Sequence, residues 1–243
     1  MRGRCAAVVG GIPGRRRLMR LVCLPGLDGT ADMFSRFAER AAAHFTAVDC
    51  VAYPRDRVMD YAALEAFARK ALPASEPFVL LGESFSGPVA MRIAASPPPN
   101  LAALVLSTTF ARQPMPWLSM FAALTRIAPV HTVPVAWAMP WLLGRWSTPD
   151  LRRTLAAALS NVHADVLRAR MRAALETDVI ARAAAITVPT LVLRATEDRL
   201  LTRRAAEALQ RVLPNARVVD IAGPHLLLQA NADDALRAIT GFV

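Results

Sequence analysis

The sequence predicts an α/β protein: a mostly parallel sheet of about six strands, flanked by helices. Three observations carry this. Short Val- and Leu-rich runs recur at Leu21 to Leu24, Ala47 to Tyr53, Phe78 to Leu81, Leu101 to Leu106, Thr190 to Leu193 and Arg217 to Ile221. Each reads as a strand buried on both faces. Helical stretches separate the runs, and that alternation specifies parallel strands joined by right-handed crossovers. Finally, 243 residues that are 54% hydrophobic and 20% charged suffice for one domain with a full core, and exclude disorder as the overall state.

Taken in order, residues 1–17 read as a flexible N-terminal extension. They hold Gly3, Gly10, Gly11, Gly14 and the run Arg15 to Arg17. The apolar patch Cys5 to Gly11 is short for a secretory signal and lacks a cleavage site, so Met19 is an alternative start. Leu21 to Leu24 is expected to be a central strand. A helix over Asp32 to Phe45 places Phe34, Phe37, Ala38 and Ala41 on one side. Another over Asp60 to Leu72 groups Leu64, Phe67, Ala68 and Ala71, with Asp60 as N-cap. Helices are also expected over Phe85 to Ala95, Thr202 to Leu213 and Asp233 to Ile239. Residues 18–111 and 187–243 form the core. Residues 112–186 interrupt it, with no good strand and all four tryptophans, Trp117, Trp137, Trp141 and Trp146. Within that insertion Ser147, Thr148, Pro149 and Asp150 mark a helix start, and Leu151, Leu155, Leu159 and Val162 follow one face of the helix.

Charge narrows the partners. The net charge is +10, but six uncompensated arginines lie in the first 20 residues, which leaves +4 for the body. Lys70 is the only lysine, and the arginine bias reads as coding bias. The body shows no basic helix or strand face for nucleic acid. No membrane span is expected, because Ile93 to Ala111 and Ile127 to Gly144 are broken by prolines. Cys5, Cys23 and Cys50 show neither CxxC nor metal-ligand spacing, which points to a reducing cytoplasm.

The run Phe78 to Ala90 carries the most chemistry. A buried strand ends at Gly82, Ser84 sits on the turn, and a helix follows at once. This is the context of a nucleophile elbow, in which a strained turn presents a serine hydroxyl at the sheet edge; an ordinary turn with a capping serine is the alternative. The second glycine of G-x-S-x-G is replaced by Ser86, with Gly87 next. After Leu21 to Leu24, the loop Pro25, Gly26, Leu27, Asp28 and Gly29 can donate a backbone N–H to an oxyanion, from Leu27 or its neighbour. The loop lacks the lysine of a phosphate-binding loop. Glu197 and Asp198 follow the Thr190 run, where an acid can orient an imidazole. Of the four histidines, His44, His131, His163 and His225, only His225 follows a strand through a short Gly-Pro loop. Ser84, acid, His225 is the chain order of one hydrolase architecture, with each residue at a strand's C-terminal end, where open parallel sheets bind ligands.

On Gly82 to Gly87, Glu197-Asp198 and Gly223 to His225, the chain from Leu18 to Val243 resembles the α/β-hydrolase superfamily. It most resembles the small esterase and thioesterase branch that includes pimeloyl-acyl-carrier-protein methyl ester esterases. The resemblance implies an α/β-hydrolase fold with a helical lid inserted before the last two strands, over residues 112–186. It selects Asp198 over Glu197 as the acid, and implies the N–H groups of Leu27 and Phe85 as oxyanion donors. Pro25 replaces the family's histidine in the oxyanion loop. The implied activity is a serine hydrolase that cleaves an ester or thioester of an apolar acyl substrate through an acyl-enzyme on Ser84. No metal or organic cofactor is required. Trp117, Met120, Trp137 and Trp141 are candidates for an apolar acyl pocket, or for the lid's own core. An acidic acyl carrier is a further candidate partner. Other cofactor-free enzymes on this fold, such as a haloperoxidase or a C–C hydrolase, and a non-catalytic ligand binder remain as alternatives.

Overall fold

The structure, a computed structural model, describes residues 19–113, 125, 130, 135–201, 203–213 and 215–243. The expected extension over residues 1–17 lies outside them. All six apolar runs form strands: β1 (Arg20–Leu24), β2 (Val48–Cys50), β3 (Phe78–Glu83), β4 (Leu101–Ser107), β5 (Thr190–Ala195) and β6 (Arg217–Ile221). They make one sheet in the order β2-β1-β3-β4-β5-β6, and every neighbouring pair is parallel. β1 is therefore internal, as expected.

Alternation along the strands makes two cores. Leu21, Cys23, Val79, Leu81, Val105, Leu191 and Leu193 face one layer. Val22, Leu24, Leu80, Leu104, Leu106 and Val192 face the other. The first layer is covered by α1 (Ser35–Ala41) and, from the C-terminus, by α9 (Leu227–Ala230) and α10 (Ala232–Thr240). The second is covered by α2 (Tyr61–Arg69) and α3 (Gly87–Ala95). Asp60 caps α2 as expected, accepting from Ala63 N at 2.8 Å. One expectation needs correction. β2 and β6 are not buried on both faces: β2 is half-buried throughout, and only Ile221 of β6 is fully buried. Both are the outer strands, where the covering helices run out.

Between β4 and β5 lie α4 (Met139–Leu142), α5 (Pro149–Ser160), α6 (Ala164–Glu176) and α7 (Ile180–Ala183). Thr148 caps α5, accepting from Leu151 N at 3.2 Å, and Pro149 opens the first turn. Leu151 and Leu155 are buried and Leu159 is half-buried, but the helix ends at Ser160, so Val162, also buried, lies beyond it and not on its face. The two ends of this insertion are clasped together. Gln113 N donates to Thr177 O at 3.0 Å, Val179 N donates to Ala111 O at 2.8 Å, and Arg112 pairs with Asp178 at 2.7 Å. After β5, α8 (Arg203–Val212) leads to β6. No helix among the described residues is long and apolar enough to cross a membrane.

Candidate active site

The turn after β3 is as tight as its sequence requires. Ser84 has φ 45°, a left-handed conformation that costs a serine on the order of 1–3 kcal/mol. A Cβ at Gly82 would lie 2.6 Å from the Ala90 Cβ, and one at Gly87 would overlap the Thr109 side chain. These two glycines let β3, the turn and α3 pack. Ser86, at the position of the expected glycine, is fully buried and put to use: its hydroxyl donates to Pro25 O and bonds Tyr53 Oη at 2.8 Å. Thr109 Oγ1 donates to Ser84 O, and Tyr61 Oη donates to Phe85 O at 3.1 Å, which hold the turn from the other side.

Two loops, after β5 and β6, bring the remaining groups to Ser84. Its Oγ lies 2.8 Å from His225 Nε2, and His225 Nδ1 lies 2.9 Å from Asp198 Oδ2. Asp198 Oδ1 accepts from Leu200 N and Leu201 N, each at 2.8 Å, so the carboxylate is fixed by its own loop. His225 and Asp198 side chains are only 2% and 8% exposed. The arrangement can take a proton from the hydroxyl onto Nε2 and stabilise the imidazolium with a buried carboxylate.

Glu197 does something else. It points away from His225 and takes a bidentate pair from Arg145 at 2.7 Å, plus a bond from Trp146 Nε1 at 3.2 Å. The bonds from Arg145 pull its pKa down to about 2. The same part of the insertion touches the histidine loop, where Leu226 N donates to Leu142 O at 3.1 Å.

The loop after β1 is more ordered than its two glycines suggest. Five consecutive carbonyls are occupied: Pro25 O by Ser86 Oγ, Gly26 O by Gly29 N at 3.0 Å, Leu27 O and Asp28 O by Arg170 Nη1 at 3.2 and 2.6 Å, and Gly29 O by Tyr53 N at 2.8 Å. Asp28 closes a local turn by accepting from Thr30 N and Thr30 Oγ1. Gly29 has φ +66°, and a Cβ there would run into the Arg170 guanidinium.

Sequence reasoning missed Arg170, Tyr53, Thr109 and the structural use of Ser86. A signal existed for Arg170. In α6 it lies three and four residues after Leu167 and Val166, on the buried face, where an arginine is out of place. Glu83, beside the nucleophile, was also missed. Its side chain is buried and accepts from Gln229 Nε2 at 3.2 Å. Burial pushes its pKa up to about 8, so it holds a proton at neutral pH.

Trp117 and Met120 lie outside the described residues. Trp137 and Trp141 are 73% and 58% exposed, so the structure places both on the surface and not around a closed cavity. A cavity of about 300 Å³ instead opens beside Asp198 and Thr109, with Thr108, Val192, Leu201 and Leu209 in its wall. Among the described residues no cluster of three or more His, Cys, Asp or Glu side chains gathers to hold a metal.

No curated protein sequence matches the chain. Solved structures match its fold closely at low identity. An enol-lactonase from Burkholderia xenovorans LB400 superposes with TM-score 0.76 at 18% identity, covering 93% of this chain and 91% of that one. A hydrolase from Pseudomonas aeruginosa PA01 gives 0.77 at 21% identity, covering 95% and 91%. MenH from S. aureus gives 0.74 at 18% identity, covering 92% of each chain. The alpha/beta hydrolase family model matches residues 21–239, nearly the whole sheet-and-helix body. With that match and this fold, the chain belongs to the alpha/beta hydrolase family.

Proposed function

We propose that the protein is a serine hydrolase that cleaves the ester or thioester of an apolar acyl substrate. The observation that carries the reading is the continuous chain Ser84 Oγ, His225 Nε2, His225 Nδ1 and Asp198 Oδ2, with bonds of 2.8 and 2.9 Å at the C-terminal edge of the sheet. His225 takes the Ser84 proton as Oγ attacks the carbonyl carbon. The N–H groups of Leu27 and Phe85 receive the oxyanion. The protonated His225 then gives its proton to the departing alcohol or thiol. Water, deprotonated by His225, attacks the acyl-enzyme, and His225 returns that proton to Ser84 Oγ as the acid leaves.

The structural likenesses carry names of more than one chemistry; the triad geometry supports a serine nucleophile, and the choice of ester or thioester rests on the sequence resemblance. Residues 112–186 act as a lid in this reading, supported by their clasped stem and by their contacts with the oxyanion, acid and histidine loops. An acyl carrier finds less support, because much of the arginine on the described surface is already paired with Asp or Glu.

The deciding experiment is hydrolysis of chromogenic esters and thioesters of graded acyl length by the purified chain. Turnover that Ser84→Ala abolishes is expected. Turnover that survives in a folded Ser84→Ala protein overturns the reading.

A further inference from the structure

We propose that Arg170 is a positioning residue for the oxyanion site, through which the helical insertion sets the Leu27 N–H in place. This rests on the serine-hydrolase reading above. Arg170 is 2% exposed and comes from α6, far in sequence from the loop it holds. Its guanidinium donates to Leu27 O at 3.2 Å, Asp28 O at 2.6 Å and Pro54 O at 3.0 Å, and its Cζ lies 5.7 Å from the centre of the Tyr53 ring. Tyr53 in turn bonds Ser86, whose hydroxyl holds Pro25 O. The oxyanion loop is thus gripped from the elbow at one end and from the insertion at the other.

The choice of residue is informative. A buried guanidinium loses its hydration, and an apolar side chain would anchor α6 equally well. Among the described residues its hydrogen bonds go to three main-chain carbonyls and none to a carboxylate. What an arginine supplies here, and a leucine cannot, is a set of rigid donors: Nη1 takes the carbonyls of the two peptides after Leu27 while Nη2 holds Pro54 O. The Leu27 N–H, in the preceding peptide whose Gly26 O accepts from Gly29 N, is positioned through the Leu27 Cα. An oxyanion donor works only within about 0.2 Å of its ideal distance, and misplacement by 1 Å costs on the order of 100-fold in rate. Gly29 answers Arg170 from the loop side, since its missing Cβ leaves room for the guanidinium.

The test uses the full chain and a chromogenic ester. It measures kcat, KM and the Ki of a trifluoromethyl ketone, whose serine hemiketal places a negative oxygen at the oxyanion position. Arg170→Ala is expected to lower kcat roughly 10- to 100-fold while KM changes by less than about 3-fold. Ketone affinity should fall in step with kcat/KM. Free guanidinium at millimolar concentration should restore part of kcat, and Arg170→Lys should fall between. Unchanged kcat and ketone affinity in a folded Arg170→Ala protein overturn the proposal, as does a loss confined to KM. If Arg170→Ala does not fold, Gly29→Ala disturbs the same contact from the loop. The same kcat loss is then expected, and undiminished kcat overturns the proposal. Wild type and Ser84→Ala run alongside. A wild type without Ser84-dependent turnover sinks the hydrolase reading and this proposal together, whereas Ser84-dependent turnover indifferent to Arg170 sinks this proposal alone.

Discussion

The helical insertion meets the C-terminal edge of the sheet through two arginines in opposite surroundings. Arg170 is buried and spends its donors on the carbonyls of Leu27, Asp28 and Pro54. Arg145 has a side chain 73% exposed and makes a bidentate pair with Glu197, next to Asp198. Both connect the insertion to a loop of the proposed site, but their physical weight differs. Water can replace the partner of an exposed pair, so such pairs contribute little. Nothing replaces a buried donor, and each orphaned carbonyl costs about 1–3 kcal/mol. The insertion is therefore anchored at the loop after β1 and merely guided at the loop after β5.

The largest expected effect sharpens the reference point. Ser84→Ala should reduce ester turnover by about 10⁴-fold or more with an unchanged circular dichroism spectrum. Next, the two neighbouring acids should separate sharply. Asp198→Asn should lower kcat by about 10³- to 10⁴-fold, because it disturbs the His225 tautomer, while Glu197→Gln should stay within about 3-fold. Equal losses would show that the acid loop is held by Glu197 as firmly as the oxyanion loop is by Arg170, which would break the comparison.

A smaller effect concerns Glu83. Its folded pKa of about 8 lies above the ordinary 4.5. Between these values the native state keeps a proton that the unfolded chain has released, so stability falls as pH rises. The favourable contribution is complete below the unfolded value and lost as pH passes the folded one. Thermal midpoints of Glu83→Gln and wild type should diverge in favour of the variant from about pH 5 to about pH 9. A constant difference would mean that Glu83 is ionised throughout. The smallest effect is Arg145→Ala, expected to change kcat by less than about 2-fold and to leave the thermal midpoint nearly unmoved.

Much of this was legible along the chain, and the reason is locality. The six apolar runs became the six strands, and the four inner ones are apolar on both faces because a strand between two helical layers is buried on both. Gly82 and Gly87 announced the elbow, because only residues without a Cβ fit where β3 turns into α3. Ser84, Asp198 and His225 could be picked out because each sits in the first residues after a strand, and parallel strands deliver those residues to one edge. The burial of β2 and β6 was misjudged, since composition does not reveal which strand lies outermost.

Contacts between distant segments were decided by the tertiary structure alone. Ser86 looked like a tolerated departure from a glycine, and packing turned it into a tie between Tyr53 and Pro25. The resemblance selects Asp198 over Glu197, but the residues themselves do not; the structure supplies the physical difference in the directions their side chains take, one to His225 and the other to Arg145. Arg170 lay hidden in an arginine-rich chain, because its partners at Leu27 and Asp28 are more than 140 residues away. A sequence sets periodicity, turn sterics and chain order, which act over a few residues. Whether a charged side chain ends in water or against a carbonyl depends on which surfaces meet when the insertion folds back over the sheet.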